Sequence, residues 1–434
     1  MTHRLEKQVM RKVTLRIVPF IMLLYFIAFL DRVNIGFAAL TMNQDLGFSP
    51  TVFGIGAGIF FLGYFLFEVP SNLILHKVGA RIWIARVMIS WGIVSACMAL
   101  VQGVSSFYTL RFLLGVAEAG FFPGIILYLS YWFPAARRAQ ITAIFMAAAP
   151  ISTALGSPLS AMLLEMHGLL GFAGWQWMFV LEAVPAVVAG VAVLFVMTDR
   201  PEKARWLNDE EREWLSTTLQ AEASSRPQSH QSALRGLADS RVLALALVYF
   251  GTSAGLYTLG IWAPQLIHTF GTSALQTGFL NAFPAVIGVI GMVLWARHSD
   301  RTGERSWHVI FACMLAAAGL IYAGSISSLL GVMLALTLVT LGISAAKPPL
   351  WSMPTLFLSG PAAAAGIATI NSIGNLGGFV GPTVIGVIRQ QTGSYTWGLW
   401  FVAGLLILSA LIVLWLSSRQ RKVERAHLPQ QTHL

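Results

Sequence analysis

Uninterrupted apolar segments of about 20 residues recur along the whole chain, and a helix needs that length to cross a hydrocarbon core about 30 Å thick. Only 11% of the residues are charged, whereas soluble domains are typically about 25% charged. Runs of this length exclude the alternating strands of a membrane barrel. The pattern predicts an all-α integral membrane protein with twelve transmembrane helices, at 15–40, 52–75, 82–101, 107–132, 140–164, 177–197, 242–267, 277–297, 307–326, 329–357, 362–388 and 396–417.

Basic residues lie almost entirely in alternate loops. Numbering the segments assigns 24 of the 28 Lys and Arg residues to one side of the membrane. Because cytoplasmic loops collect Lys and Arg, we expect both termini to be cytoplasmic. The net charge of +10 therefore reflects topology, and no nucleic-acid partner is expected. The first segment has no small-residue cleavage site after it, so we expect it to be retained.

Catalytic and metal-binding patterns are not evident in the sequence. The two cysteines, Cys97 and Cys313, lie in separate apolar segments without metal-ligand spacing. No nucleophile–base pair stands out, and no set of His, Cys, Asp and Glu has metal spacing on one helix face. We therefore expect neither an enzyme nor a metal or cofactor.

A polar stretch at 198–240 divides the segments into six plus six. It predicts two six-helix bundles at 1–197 and 241–418, joined by a cytoplasmic linker and followed by a basic tail at 419–434. A surface helix is predicted in the first part of the linker, over 199–215. Asn208 and Glu211 have the spacing of a capping box, and an apolar edge that includes Trp206 would contact either the bilayer surface or the bundle.

A short motif recurs in the two halves. Lys77-Val-Gly-Ala-Arg81 follows the second segment, and Arg301-Thr-Gly-Glu-Arg305 follows the eighth, 224 residues later. With twelve spans in two halves, this motif resembles the major facilitator superfamily, although His76 stands where the family motif usually has Asp. The resemblance implies two pseudo-symmetric bundles and a cytoplasmic gate formed by Lys77, Arg81, Asp300, Arg301 and Arg305. The alternative is a plain basic loop.

Charged residues interrupt the first and fourth apolar segments. Asp31 and Arg32 lie in the first, and Arg111 and Glu118, seven residues apart, lie on one face of the fourth. A charge near the bilayer centre costs roughly 2.5–3.5 kcal/mol even on the lenient insertion scale. All four could meet in one internal cavity, where protonating a carboxylate would free an arginine for an anion. The alternative is a structural network that pairs Asp31 with Arg111 and Glu118 with Arg32.

Several further motifs resemble one branch of the superfamily, the anion:cation symporters. They are Asp31-Arg32 followed by Asn34-Ile-Gly36, the Arg-x6-Glu spacing, Glu68-Val-Pro-Ser-Asn72 and Asp199-Arg-Pro-Glu-Lys-Ala204. This branch includes bacterial sugar-acid and aromatic-acid transporters. The resemblance implies proton-driven uptake, with Asp31 and Glu118 as the protonatable pair and Arg32 and Arg111 as the anion-recognising and coupling cations.

The second half offers candidates for the opposite wall of the site: Lys347, Trp351 and Asn371. Pro348 and Pro349 remove helical hydrogen bonds beside Lys347 and free backbone carbonyls. For Lys347 the alternative is snorkelling to the interface, and for Trp351 it is ordinary packing. We interpret Glu68 and Glu182 as structural residues.

These observations predict a monomeric, proton-coupled symporter in a bacterial inner membrane that imports a small organic anion by alternating access. Three cations, Arg32, Arg111 and Lys347, exceed the two carboxylates, which favours a dicarboxylate such as tartrate over a sugar acid. A ligand sensor that does not transport and an exporter of drugs or cations remain as alternatives.

Overall fold

The computed structural model describes residues 2–225, 239–354, 357 and 360–427, and these residues form helices with no strand among them. The first half consists of α1 Thr2–Asp45, α2 Pro50–Val78, α3 Ala80–Cys97, α4 Val104–Glu118, α5 Phe121–Ser130, α6 Ala135–Met146, α7 Ala148–Leu164 and α8 Gly174–Val196. The linker contains α9 Asp209–Ser225. The second half consists of α10 Ser240–His268, α11 Ala274–Thr302, α12 Ser306–Ser325, α13 Leu329–Ser352, α14 Gly360–Asn375, α15 Gly377–Thr392 and α16 Thr396–His427.

Eleven helical spans in the described residues are long and apolar enough to cross a membrane. The prediction of an all-α membrane fold is confirmed, since helices satisfy their own backbone groups where water is absent. The eleventh predicted segment, 362–388, consists of two 16-residue helices, α14 and α15, which meet at Leu376. The linker at 226–238 and the end of the tail at 428–434 lie outside the described residues, and the proposed domain boundaries stay a prediction.

The fourth predicted segment is also interrupted, next to one of its charged residues. Glu118 is the last residue of α4, and α5 begins at Phe121 after Gly120, whose φ is 88°. The Ser71 hydroxyl donates to the Ala119 carbonyl over 2.6 Å and lies against the Cα of Gly120. A side chain at position 120 would meet both a strained backbone and Ser71. The break therefore leaves Glu118 at a helix end in the interior of the bundle.

Ion pairs bring the basic loops of the first half to one end of the bundle, which we call the basic end. Lys12 of α1 lies 2.8 Å from Glu211 of the linker helix. Arg81, at the start of α3, lies 3.6 Å from Asp199, just after α8. At the opposite end, which we call the far end, the Trp175 indole donates to Asp45 over 2.8 Å. The segregation of basic residues predicted from the sequence is thus present in the structure.

Close backbone contacts join the two halves at the far end. A Cβ on Gly36 of α1 would collide with the carbonyl of Gly260 on α10, and these two glycines are 224 residues apart. Gly54 of α2 approaches Pro382 of α15, and a Cβ there would lie 2.7 Å from the Pro382 carbonyl. Gly278 of α11 approaches α7 at the corresponding place, because a Cβ there would lie 2.8 Å from the Ser157 carbonyl and 3.2 Å from the Pro158 Cα. Gly278 lies 224 positions after Gly54, and Pro382 lies 224 positions after Pro158. The repeat inferred from short motifs therefore extends to the contact surface between the halves.

The linker helix packs on the bundle. The predicted capping box is confirmed, because Asn208 accepts from the Glu211 N–H over 2.7 Å and Glu211 accepts from the Asn208 N–H over 3.0 Å. The predicted helix over 199–215 is wrong in its bounds: α9 begins at Asp209, after a 3-10 turn at Pro201–Lys203, and continues to Ser225. Trp206 stacks on Trp132 with centroids 5.3 Å apart. The apolar edge of the linker therefore contacts the bundle.

Lowering the pH should release the linker helix from α1. Burial alone raises the pKa of Glu211, but the Lys12 ammonium and the Asn208 N–H outweigh burial and hold this pKa below its usual range. A depressed carboxylate pKa stabilises docking above the ordinary value of 4.5, and that stability is lost as the pH falls through the folded pKa. Spin labels at Arg11→Cys and Glu210→Cys, with Cys97 and Cys313 changed to Ser, should show a broader distance distribution at pH 3.5 than at pH 6. A Glu211→Gln protein should show no such change over this range, and an equal change in both proteins would contradict the assignment to Glu211.

Candidate functional site

An ion pair in the interior links α1, α4 and α10. The Arg32 guanidinium donates from Nε to Oε1 of Glu118 over 2.5 Å and from Nη1 to the Tyr257 hydroxyl over 3.1 Å. Glu118 is fully buried and Arg32 is 8% exposed. The Arg32–Glu118 pair considered in the sequence analysis is confirmed. Because Tyr257 belongs to the second half, Arg32 joins a carboxylate of one bundle to a side chain of the other.

Asp31 points away from this pair, into the first half. Its Oδ1 accepts hydrogen bonds from the Ser95 hydroxyl of α3 and from the Asn34 amide, the latter over 3.2 Å. Its Oδ2 has no hydrogen-bond partner among the described residues. The alternative pairing of Asp31 with Arg111 is wrong for this conformation, because no ion pair joins the two described side chains. Asp31 is thus a buried carboxylate held by neutral donors.

Arg111 is held by backbone carbonyls. Its Nε donates to Gly56 over 3.2 Å and its Nη2 donates to Ala57 over 2.9 Å, both on α2. Its Nη1 is buried and has no hydrogen-bond partner in the described part of the chain. The Phe60 ring lies between the two guanidinium groups, 5.2 Å from that of Arg111 and 5.8 Å from that of Arg32. Arg111 is therefore a cation fixed by backbone carbonyls, and no described carboxylate forms a direct ion pair with it.

Lys347 reaches the same region from the second half. Helix α13 continues through Pro348 and Pro349 to Ser352, so the prolines remove hydrogen bonds without ending the helix. The Lys347 ammonium lies close enough to Arg32 for the two positive charges to repel each other. No hydrogen bond or ion pair of Lys347 occurs in the described residues. This placement favours an inward-facing Lys347 over a snorkelling one.

Trp351 lies where the two halves meet. Its ring contacts Tyr249 of α10 at a centroid distance of 4.9 Å and Phe122 of α5 at 6.4 Å. Its indole N–H is buried and has no hydrogen-bond partner among the described side chains and backbone. A packed ring with an unpartnered donor suits a substrate-facing wall.

Asn371 has a partner that sequence reasoning did not anticipate. Its amide donates to Oε1 of Glu68 over 2.5 Å, and the neighbouring Ser372 hydroxyl donates to Oε2 over 2.6 Å. Glu68 lies on α2 and is 2% exposed, so these bonds join the halves on the basic-end side of the ion pair. In this conformation the Asn371 amide is engaged in that contact, and its role in binding substrate stays a prediction. The interpretation of Glu68 as structural can therefore be made specific, because its carboxylate accepts hydrogen bonds that connect the two halves.

Glu182 belongs to the interior of the first half. It is 2% exposed, and its Oε1 accepts from the Ser160 hydroxyl over 2.6 Å. No cation forms an ion pair with it in the described residues. Its position near the far end agrees with the sequence interpretation, but its deep burial was not foreseen.

The two gate motifs use carboxylates from different places. Arg305 pairs with Asp300 of its own motif, with 2.6 Å between Nη1 and Oδ1. In the first half, His76 stands in place of the acidic residue, and Asp199 supplies the carboxylate instead. Asp199 accepts a hydrogen bond from the Arg81 backbone N–H over 3.0 Å. Lys77 and Arg301 form no ion pair in the described residues. The motif at 199–204 and the motif at 77–81 are thus two parts of one contact.

Tyr257 is the clearest member of the site that sequence reasoning missed. Its position is 224 residues after Val33, so it corresponds to the residue following Arg32 in the first half. Adding the repeat offset to the charged stretch of α1 would have identified it. Ser95 gave no comparable signal, because a lone hydroxyl residue is common in apolar helices, whereas Asn34 belongs to the motif that follows Asp31 and Arg32.

Comparisons with known proteins agree with this architecture. The family model described as "Major Facilitator Superfamily" matches residues 21–382. An Agrobacterium vitis protein named "Putative tartrate transporter" is 71% identical over 430 residues, covering 99% of this chain and 96% of that protein. A "Quinolone resistance transporter" of Acinetobacter baumannii is 41% identical, covering 94% of each chain. The crystal structure of a D-xylose-proton symporter superposes with a TM-score of 0.75 at 14% identity, covering 92% of this chain and 97% of that one, and shows the fold alone.

Proposed function

The chain belongs to the major facilitator superfamily and is a multi-pass membrane transporter, and from that premise we propose that it imports a small organic dicarboxylate, tartrate being the favoured case, together with protons. The observation that carries the proposal is a pair of central cations, the buried Arg111 and the half-buried Lys347, with which no described carboxylate forms an ion pair. A buried charge is costly unless it is paired. An anion with two carboxylates would supply both partners.

The relatives support the choice of substrate. The chain is 71% identical to a protein whose name gives tartrate as its cargo. Tartrate is a dicarboxylate with two hydroxyl groups, and the Trp351 indole N–H and Arg111 Nη1 are buried donors without a partner in the described chain. A sugar acid would satisfy Arg111 but would leave Lys347 without a partner.

Proton coupling would act through Glu118 and Asp31. When Glu118 takes up a proton, it ceases to neutralise Arg32, and the guanidinium becomes available to the anion. Because Arg32 also holds Tyr257, the same event alters a bond between the halves. Protonation of Asp31 would leave its bonds from Ser95 and Asn34 in place, so this residue can change charge without rearrangement of its helix.

The contacts at the two ends support the proposal of alternating access. At the far end the seam includes close backbone contacts, as at Gly36 and Gly260. Toward the basic end it includes side-chain bonds from Asn371 and Ser372 to Glu68. Side-chain bonds of this kind can be exchanged for water when the halves rock about a central substrate. We expect the basic end to face the cytoplasm, since Lys and Arg collect there.

Export of a drug-like molecule is the second candidate, because one relative at 41% identity is named for quinolone resistance. Purified protein in proteoliposomes separates the possibilities. If the protein imports tartrate, radiolabelled tartrate should show counterflow. It should also accumulate when protons move down their gradient in the same direction as the substrate. Tartrate binding without counterflow would indicate a sensor. Quinolone movement against a proton gradient, with no tartrate counterflow, would indicate the exporter.

Lys347→Gln should selectively weaken the binding of dicarboxylates. Loss of one charge-assisted hydrogen bond removes roughly 1.5–3 kcal/mol, which lowers affinity about ten- to a hundred-fold. A monocarboxylate that does not reach Lys347 should lose far less. Lys347→Arg should recover only part of the affinity, because a planar guanidinium fits a point-charge pocket poorly. Isothermal titration with tartrate and a sugar acid measures both effects, and equal tartrate affinities for wild type and Lys347→Gln would remove this lysine from the site.

A further inference from the structure

A polar cavity lies at the basic end, away from the central ion pair. It has a volume of about 550 Å³ and lies where α1, the start of α3, the end of α8 and the linker meet. Four cationic side chains line it: Arg16, Arg81, Lys203 and Arg205. The central site does not use any of these side chains, so this cavity needs a separate explanation.

The cavity carries an excess of positive charge. Among the described residues, Asp199 is the only acidic one that lines it, and Arg81 engages Asp199 through both the guanidinium and the backbone N–H. Within the described residues, no carboxylate forms an ion pair with Arg16, Lys203 or Arg205. Three cations therefore face one space without a counter-charge, an arrangement that favours an anionic ligand.

A stacked aromatic ring lines one side of the cavity, and an exposed apolar side chain lines the other. Trp206 stacks on Trp132, and the Arg16 guanidinium lies 5.8 Å from the centre of the Trp206 ring. On the other side, Phe195 lies in the last turn of α8 and is 82% exposed. Since α8 spans the membrane, an exposed Phe at its end faces the acyl chains next to the headgroup region. The cavity thus presents cations and an apolar surface side by side at interface depth.

We propose that this cavity binds the phosphate of an anionic phospholipid headgroup, with the acyl chains lying along α8 beside Phe195. The phosphate would lie among Arg16, Lys203 and Arg205, and basic pockets at the ends of transmembrane helices are suited to such headgroups. Because Arg16 belongs to α1 while Lys203 and Arg205 belong to the linker, the bound lipid would connect the linker to the first bundle. The proposal is independent of the substrate carried by the central site.

Detergent-purified protein should distinguish this lipid from its rivals. Short-chain phosphatidylglycerol should raise the melting temperature more than short-chain phosphatidylcholine does, because a ligand that binds the folded state stabilises it. The Lys203→Gln/Arg205→Gln protein should bind phosphatidylglycerol about 30-fold more weakly, from about 1 kcal/mol for each basic residue. The matched control is Arg297→Gln, which removes an exposed charge at the basic end of the second half and should bind like wild type.

Three outcomes would overturn the proposal. The first is equal stabilisation of the protein by the two lipids, and the second is an equal loss of affinity for phosphatidylglycerol in the Arg297→Gln control. The third is stabilisation by inorganic phosphate as strong as that by phosphatidylglycerol, which would indicate a site for a free anion. The melting temperature in neutral detergent reports whether the double variant folds. If it does not fold, Lys203→Gln alone should bind phosphatidylglycerol about fivefold more weakly, and unchanged affinity would count against the site.

Discussion

Replacing Asp31 by Asn, or Glu118 by Gln, should abolish proton-driven accumulation of substrate while preserving exchange of substrate across the membrane. A gradient of one pH unit supports roughly tenfold accumulation for each proton carried with the substrate. Without a carboxylate that can lose its proton, the substrate should only equilibrate. Uptake of labelled tartrate into proteoliposomes, with and without an imposed pH gradient, measures the ratio directly.

The two variants differ in their expected stability, which helps to interpret them. Asn at position 31 keeps an acceptor for Ser95, so Asp31→Asn should fold like wild type. Glu118→Gln leaves Arg32 without its anionic partner, and removing one member of a buried pair costs about 3–5 kcal/mol. Glu165→Gln, which changes an exposed carboxylate, is the matched control and should still accumulate substrate. Normal accumulation by both Asp31→Asn and Glu118→Gln would remove these residues from proton coupling.

Gly36→Ala should stop transport by preventing closure of the far end. The added methyl group would collide with the Gly260 carbonyl and would lie 2.9 Å from the Ile261 carbonyl, and neither backbone group can rotate away. Overpacking of this kind costs about 1–3 kcal/mol, which would shift the balance between closed and open far ends about five- to a hundred-fold. In the second half, no side chain at this contact could move aside to make room for the methyl group.

Labelling of a single cysteine measures that shift. Ser157 is buried at the far end and accepts from Asn281 of the second half over 2.9 Å. In a protein with Cys97 and Cys313 changed to Ser, a cysteine at 157 should react faster with an impermeant maleimide when Gly36→Ala is present. Gly404→Ala is the control, because a Cβ at 404 meets nothing within 4 Å. Unchanged labelling together with normal transport in Gly36→Ala would show that the far end still closes and that the seam accommodates the added methyl group.

The sequence predicted features that depend on local pattern or on the repeat. Span length and apolar composition located the membrane helices, and the spacing of Asn208 and Glu211 predicted a cap that the structure contains. The pairing of Arg32 with Glu118 could be considered from the sequence because both charges lie at a similar depth in their helices. Each of these inferences uses the positions of residues along helices and requires no knowledge of side-chain direction.

Features that depend on contact between distant segments were not predictable. Glu68 bonds to Asn371, 303 residues away, and nothing in either local sequence indicates the other. The break after Glu118 requires the approach of Ser71 from α2, and a single Gly-containing segment does not reveal it. The alternative that pairs Asp31 with Arg111 is wrong for this conformation, because periodicity gives a helix face only approximately and the carboxylate turns toward Ser95 instead.

The double attachment of Arg32 bears on the efficiency of the proton coupling that we propose. A coupled carrier wastes the proton gradient if it can reorient with a proton aboard and no cargo. In that state Arg32 would have lost Glu118 as its counter-ion and would have no anion in exchange, while remaining buried beside Tyr257. An unpaired buried charge costs about 3–5 kcal/mol, so this state would be populated roughly a hundred- to a few-thousand-fold less than the loaded one. A single guanidinium shared between the two bundles would thereby limit futile proton leak.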